Sequence, residues 1–258
     1  MNIMERLFMR HVHPANEPAF GMTDPGRARE INEDSFLLLP EHSLYAVADG
    51  MGGHKAGEVA SSSAVKIVGE YFTPERIKQM NEDPSRAQDE MVAAINAAHE
   101  GIRRLAEANA EYDGMGSTIA LAFINANVLH TCHVGDSRVY VGNASGITRV
   151  TADHSEVWEL VRAGAMSAEE ARLSPLKNRI TQALGAPMPP SPEYTRHPLS
   201  KGDRVLLCSD GLWDMLPEEN IHAAMTRGRS PGKICRDLIE QANRAGGEDN
   251  ITVILVQT

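Results

Sequence analysis

The chain has 258 residues, of which 42% are hydrophobic and 23% are charged, and its formal net charge is -10. This composition predicts one globular domain with a sizeable core, and the negative charge argues against nucleic acid or an anionic membrane surface as a partner. The three widely spaced cysteines indicate neither a disulfide framework nor a CxxC zinc site. The cysteine usage fits a reducing cytoplasm. Because residues 1–14 lack a continuous apolar stretch and no later segment could cross a bilayer, we expect an unprocessed protein. We also expect it to act as a monomer.

Residues 1–19 contain two prolines and no hydrophobic periodicity, and they are interpreted as a tail before a single domain over 20–258. Within that domain, short runs rich in Val, Ile or Leu and bounded by turn residues predict strands at 35–40, 43–50, 117–125, 127–135, 137–143, 203–211 and 250–258. The strands are grouped beside the helices rather than alternating with them. This order favours an α+β fold with largely antiparallel sheets.

Helical patterns occur between the strands. Over 85–110 the steps of three and four between apolar residues predict a helix with one buried stripe, formed by Met91, Ile95, Ala98, Ile102 and Leu105. Further helices are predicted from near Lys55 and from Pro231, whose predecessor Ser230 is a typical N-cap residue. Between residues 151 and 184 short helical segments, one with a capping-box pattern at Ser167 and Glu170, predict an inserted flap.

Several of the predicted apolar strands end or begin beside a carboxylate residue. Asp49, Asp210 and Asp249 each lie beside glycine or asparagine next to a predicted strand. A single Asp-Gly pair is ordinary turn chemistry, but an unpaired carboxylate beside a buried strand is costly unless a cation neutralises it. Asp136 ends another strand, and Glu33 and Asp34 precede one. Oxygen donors without clustered histidines favour magnesium or manganese over zinc.

The segment CHVGDSR permits a second interpretation. Cys132 and Arg138 have the spacing of a cysteine-dependent phosphatase, in which a thiolate attacks phosphorus and an arginine binds the phosphoryl oxygens. However, Asp136 would place a negative charge inside that phosphate loop, and the segment has one glycine to turn backbone amides inward. These features argue against a thiolate loop.

The motifs REINEDSF, VADGMGGHKAGEVAS, GMGSTIALAF, HVGDSRVY, TADHS, SDGLWDML and GGEDNITVILV follow one another in this order. From about residue 21 to residue 256 the chain resembles the metal-dependent protein phosphatases of the PP2C type in their bacterial form. The resemblance implies a four-layer α-β-β-α sandwich with two central, mostly antiparallel sheets and a small helical flap. It also implies hydrolysis of phosphoserine and phosphothreonine in proteins by a metal-activated water, without a covalent phosphoenzyme. Two or three Mn²⁺ or Mg²⁺ ions and an opposing serine/threonine kinase belong to this expectation.

The resemblance also assigns metal-site roles to individual residues. It implies that Asp49 bridges two ions, that the Gly50 carbonyl binds one, and that Asp210 and Asp249 complete the other. Glu33 would contribute through water, and Asp34 would orient the ligands. A third, weaker site would use Asp136, Asp210 and Asp214.

Two residues outside the carboxylate set are implied to contact the substrate. Arg29 resembles the arginine that binds the phosphate, although an arginine there could equally form a surface ion pair. In animal members a histidine, a suspected general acid, follows the Asp-Gly pair, and Met51 occupies that position here. His54 could substitute for it or could be a structural hydrogen-bonding residue.

Two further expectations concern the flap and the rival functions. The flap residues Asp153, His154, Arg162 and Arg179 resemble a variable lid that contacts protein substrates, or they form solvated surface. Besides the cysteine phosphatase, the remaining rival is a catalytically inactive, metal-binding regulator that docks phosphoproteins. That rival would not need a complete set of metal ligands, and the set is complete here.

Overall fold

The structure, a computed structural model, describes residues 18–52 and 55–258, with the side chain of residue 55 excluded. The strands are β1 (Ala19–Asp24), β2 (Asp34–Leu39), β3 (Leu44–Met51), β4 (Gly116–Ser117), β5 (Ile119–Asn125), β6 (Val128–Val134), β7 (Arg138–Asn143), β8 (Gly146–Arg149), β9 (Glu193–Pro198), β10 (Arg204–Cys208) and β11 (Ile251–Gln257). The helices are α1 (Lys55–Tyr71), α2 (Pro74–Glu82), α3 (Ala87–Ala108), α4 (Glu156–Arg162), α5 (Ala168–Leu173), α6 (Asp210–Trp213), α7 (Glu218–Met225) and α8 (Pro231–Ala245). In these ranges no helix has the length and hydropathy required to cross a membrane.

The strands form two sheets, and every strand pairing within the described residues is antiparallel. One sheet has the order β1-β11-β10-β7-β8, and the other has the order β2-β3-β5-β6-β9 with β4 paired to β3. Buried side chains from the facing sides, such as Val47, Val139 and Ile254, form a core between the sheets. Separate cores lie under α1–α3 on one side and under α6–α8 on the other. The predicted α-β-β-α sandwich is therefore confirmed.

The predicted strands all form, but β1, β8 and β9 were not predicted. Each of these three lies at the edge of its sheet. An edge strand is paired on one side and needs fewer apolar residues than a central strand, so its sequence carries a weaker signal. The residues of β9 are partly or fully exposed. Most of the predicted tail, residues 1–17, lies outside the described residues.

The helix predictions are also largely confirmed. Helix α3 buries Met91, Ile95, Ala98 and Ile102, whereas Leu105 remains 37% exposed at the end of the stripe. The capping box at α5 forms as predicted. Helix α8 begins directly after Ser230, but the Ser230 hydroxyl makes no capping hydrogen bond.

Candidate active site

The first pair of candidate carboxylates lies on neighbouring strands of one sheet. The antiparallel register of β2 and β3 places Asp34 opposite Asp49. Thr118 holds Asp49 from the other side, because its backbone N–H donates to the Asp49 carbonyl at 2.8 Å and its Oγ1 accepts from the Asp49 N–H at 3.0 Å. The end of β3 is therefore fixed from both sides.

Of the other three candidate aspartates, two lie at strand ends of the second sheet and one lies in the turn that leads from the first sheet into the second. Asp136 lies in the turn between β6 and β7, and its carbonyl accepts a hydrogen bond from Trp213 Nε1 at 3.0 Å. Asp210 begins α6 just after β10, and Asp249 precedes β11, the neighbouring strand. Ser209 joins the two sheets, since its Oγ donates to Asp34 Oδ2 at 2.7 Å. The five aspartates therefore approach one another at one edge of the sandwich.

The electrostatics of these carboxylates confirm that they are close. Burial raises the pKa of Asp34 to about 8, and repulsion from Asp210 and Asp249 adds to the rise. Burial and repulsion from Asp249 raise the pKa of Asp210 to about 6. Burial, followed by repulsion from Asp210, also raises the pKa values of Asp49 and Asp136 well above the ordinary range. The cluster resists full ionisation unless positive charge compensates it.

The donor chemistry of the cluster fits a hard divalent cation. Asp34 Oδ1 and Asp210 Oδ1 are buried and accept no hydrogen bond from the described residues. Such oxygens are costly without a partner and are the ligands that Mg²⁺ and Mn²⁺ prefer. In the described part of the chain no three His, Cys, Asp or Glu side chains are already close enough to hold an ion. The Asp49 and Asp210 carboxylates instead repel each other, so we expect side chains to rotate when a cation binds.

Two glycines allow the backbone to pass close to this cluster. A Cβ atom on Gly57 would lie 2.4 Å from Glu33 Oε1, and one on Gly50 would lie 2.0 Å from the Gly57 carbonyl oxygen. The Gly50 N–H donates to the Glu33 carbonyl at 3.1 Å, and the Glu33 N–H donates to Asn250 Oδ1 at 2.8 Å. Glycine is therefore required where α1 packs against β3, and Glu33 and Gly50 lie beside each other.

Arg29 lies at the entrance of the cluster. Its guanidinium donates to Asp249 Oδ2 at 2.7 Å, and its side chain is 48% exposed. Arg29 lines a small cleft of about 210 Å³ together with Asn178, Asp210, Gly211, Asp214, Met215, Glu248 and Asp249. Asp214 is in ion-pair contact with Lys177 of the flap. His54 lies outside the described residues.

The cysteine-centred alternative has no structural support. Cys132 is fully buried in β6, and burial raises the pKa of its thiol to about 12. Arg138 binds both carboxylate oxygens of Asp153, at 3.0 and 2.6 Å, and stacks on the Trp213 ring. A thiol that stays protonated and an arginine that is already engaged cannot form a phosphate-binding thiolate loop.

The interpretation of Asp153 and His154 as lid or solvated surface is wrong. Both side chains are buried in the body of the protein, because Asp153 binds Arg138 and the His154 ring stacks on His133 with centroids 4.7 Å apart. Arg162 and Arg179 are half-exposed or more and pair with Glu193 and Glu156. The beginning of the 151–184 segment thus belongs to the sandwich.

Sequence reasoning missed several polar residues of the site. Asn250 donates to the carbonyls of Pro25 and Ile31 while accepting from Glu33, so it fixes the loop that carries Arg29. Ser209 donates to the Asp34 carboxylate, and Trp213 donates to the Asp136 carbonyl. Asn250 lies within the GGEDN motif and Ser209 within the SDG motif, so closer attention to the neighbours of each aspartate could have found them.

A two-sheet sandwich with acidic side chains gathered at one edge is the arrangement that the sequence led us to expect for a metal-dependent phosphatase, and comparisons identify the family. The sequence model described as Protein phosphatase 2C matches residues 27–235. The chain is 35% identical over 238 residues to the serine/threonine phosphatase stp of Listeria innocua, covering 91% of this chain and 93% of that one. The S. agalactiae serine/threonine phosphatase superposes with a TM-score of 0.85 and 36% identity, covering 93% of this chain and 98% of that structure.

A further solved structure contains metal. The catalytic domain of the serine/threonine phosphatase PstP in complex with two manganese ions has a TM-score of 0.79 and 34% identity, covering 93% of this chain and 96% of that one. The present chain belongs to the protein phosphatase 2C family. It is a metal-dependent protein-serine/threonine phosphatase, and nothing favours the cysteine-dependent alternative.

Proposed function

We propose that this chain hydrolyses phosphoserine and phosphothreonine in proteins at the aspartate cluster, with two or three Mn²⁺ or Mg²⁺ ions bound there. The observation that carries this proposal is the set of buried carboxylates with raised pKa values, two of which have an oxygen without a hydrogen-bond donor among the described residues. When bound, such ions lower the pKa of an attacking water and shield the anionic phosphate.

Each protein group has a defined part in this proposal. Asp49, the Gly50 carbonyl, Asp210 and Asp249 would hold the two principal ions, and Asp136 and Asp214 would hold a third ion more weakly together with Asp210. Glu33 would contribute through water, and Asp34 would orient the ligands. The fixed end of β3 supports the role of Asp49, because both backbone polar groups of that residue are already bonded to Thr118.

Arg29 is proposed to bind the phosphoryl group of the substrate. Its planar guanidinium can donate two parallel hydrogen bonds to phosphate oxygens. The side chain is half-exposed at the cleft, and its partner Asp249 is itself a proposed metal ligand. If Asp249 served a cation as ligand, the Arg29 guanidinium would be free to donate to the substrate phosphate.

The cysteines and the relatives support a proposal for the cellular setting. Cys132, Cys208 and Cys235 are all free and buried, as expected for a protein of the reducing cytoplasm. We propose a monomer that acts on phosphoproteins and opposes a serine/threonine kinase. The relatives of this chain are named as serine/threonine phosphatases, which supports phosphoproteins as its substrates.

The test is phosphopeptide hydrolysis by the chelated protein after addition of Mn²⁺, Mg²⁺, Ca²⁺ or Zn²⁺. We expect Mn²⁺ or Mg²⁺ to restore turnover and Asp49→Asn to lower kcat by about a thousandfold, with an unchanged circular dichroism spectrum. Asp237→Asn, which removes a carboxylate of α8 paired with Arg229, is the control and should behave like the wild type. Cation binding without turnover in the wild type would favour the inactive regulator, and turnover that survives chelation would contradict the metal mechanism.

A further inference from the structure

The flap places a positive charge on the edge of the aspartate cluster. Lys177, which follows α5, forms an ion pair with Asp214 at the end of α6. The two side chains are 30% and 13% exposed, so this pair is more sheltered than the ion pairs on the outer face of the flap. The contact joins the inserted segment to the helix that begins at Asp210.

Asp214 belongs electrostatically to the aspartate cluster. Its backbone N–H donates to the Asp210 carbonyl at 2.8 Å, one turn earlier on α6, and its negative charge contributes to the raised pKa of Asp210. Asp210, Asp214 and Asp249 line the same small cleft. The Lys177 ammonium therefore lies where the cluster would otherwise attract another cation.

The surroundings of Lys177 leave room for the flap to move. A cavity of about 840 Å³ lies between the flap and the body, lined by Trp158 and Ala171 on one side and by Trp213 and Leu216 on the other. Lys177 borders this cavity, and its partner Asp214 borders the cleft. Because water-accessible space rather than a packed core separates the two surfaces, the ion pair contributes to holding the flap down.

We propose that Lys177 competes with a divalent cation for Asp214, so that the docked flap and an occupied third metal position exclude one another. The inference rests on the proposed function and deepens it by naming the residue that sets the affinity of the weak site. The Lys177 ammonium repels an approaching cation, and it also occupies the Asp214 carboxylate that the cation would need as a ligand. By thermodynamic reciprocity, a cation that displaces Lys177 weakens flap docking by the same factor by which Lys177 weakens cation binding.

Arg172 provides a matched control for the charge itself. It lies on α5 of the same flap and borders the same cavity, but it pairs with Glu169 of its own helix at 3.2 Å. Removing Arg172 takes away a positive charge of the flap without freeing Asp214. Lys177→Met and Arg172→Met therefore separate competition at Asp214 from a general electrostatic effect.

The experiment is calorimetric titration of Mn²⁺ into the full-length protein and its variants. We expect Lys177→Met to leave the tight sites unchanged and to strengthen the weak site about five- to tenfold, whereas Arg172→Met should match the wild type. Asp214→Asn should remove the weak site with or without Lys177. Equal weak-site affinities in Lys177→Met and the wild type would overturn the inference. Absence of all Mn²⁺ binding in the wild type would instead overturn the proposed function.

Hydrogen exchange of residues 167–182 supplies a readout independent of activity. In the wild type, Mn²⁺ at concentrations that fill the weak site should speed exchange in this segment as Lys177 is displaced. In Lys177→Met the exchange should be fast from the start and insensitive to Mn²⁺. Exchange that Mn²⁺ slows in the wild type, or that Lys177→Met leaves unchanged, would contradict competition.

Discussion

Cys132 and Asp136 show how burial decides the chemistry of single residues within one short segment. The Cys132 thiol lies in the core beneath α3, where desolvation raises its pKa to about 12 and keeps it protonated. Asp136, just past the end of the same strand, lies beside other carboxylates and has an elevated pKa for that reason as well as by burial. The aspartate is available for cation chemistry, and the thiol is a packing group.

At this scale we predict that Cys132→Ser leaves kcat unchanged and lowers the free energy of unfolding by about 1–3 kcal/mol, because a hydroxyl replaces a buried thiol. Urea unfolding and phosphopeptide kinetics measure the two effects. Cys235→Ser, at a buried position of α8, serves as the control and should show a similar pattern. Loss of turnover in folded Cys132→Ser, with Cys235→Ser active, would revive the cysteine mechanism.

Among the secondary-structure elements, central strands and edge strands were predictable to different degrees. Strand β11 lies between β1 and β10 and buries nearly all its residues, so its sequence is a continuous apolar run. Strand β9 is bonded on one side and carries charged and polar residues, which resemble those of a loop. Pairing with β6, a property of the folded chain, determines its strand conformation.

The same distinction applies to the site. The convergence of Asp49, Asp210 and Asp249 could be predicted, because each follows or ends an apolar strand. Asp210 and Asp249 lie at the ends of the neighbouring strands β10 and β11, and Asp49 lies near the end of β3 in the facing sheet. The contact between Lys177 and Asp214 could not, since it depends on how the flap folds back over α6. Arg29 also shows a contact that sequence could not specify, the ion pair with Asp249.

Helices α5 and α8 each begin directly after a serine, but the two serines differ in their capping hydrogen bonds. The Ser167 hydroxyl accepts from the Glu170 N–H in a capping box, whereas Ser230 makes no side-chain capping bond. We therefore expect Ser167→Ala to loosen α5 and to speed tryptic cleavage after Arg172 about threefold or more. Ser230→Ala should leave both cleavage and the unfolding midpoint close to the wild type. Equal effects of the two substitutions would show that the hydroxyl bond does not stabilise α5.

At the scale of the whole molecule, the two sheets are joined at a point of concentrated negative charge in a chain whose net charge is already -10. Asp34 and Asp49 lie close to Asp136, Asp210 and Asp249. Mutual repulsion among these carboxylates destabilises the fold most when all of them are ionised. Protons or cations must therefore bind the folded chain more tightly than the unfolded one. The stability of the sandwich and the occupancy of the cluster are coupled.

Because the pKa values of Asp34 and Asp210 are raised in the folded protein, we expect the stability of the cation-free protein to fall as pH rises. Asp34 titrates at about 8 and Asp210 at about 6 in the folded protein, against about 3.9 for an unfolded aspartate. Well below pH 4 both states hold their protons, and as pH rises toward 8 the unfolded state loses them first. The urea midpoint of the chelated protein should therefore fall between pH 5 and pH 8.

Saturating Mn²⁺ should reverse that trend, because the cation replaces the protons and binds more tightly as they leave. Asp34→Asn should flatten part of the fall above pH 6 in the chelated protein, since it removes a carboxyl group whose pKa is raised to about 8. Asp237→Asn should retain the wild-type pH dependence. A midpoint that rises with pH in the chelated wild type would mean that the aspartates are already compensated within the protein, and that the cluster does not require a cation to ionise.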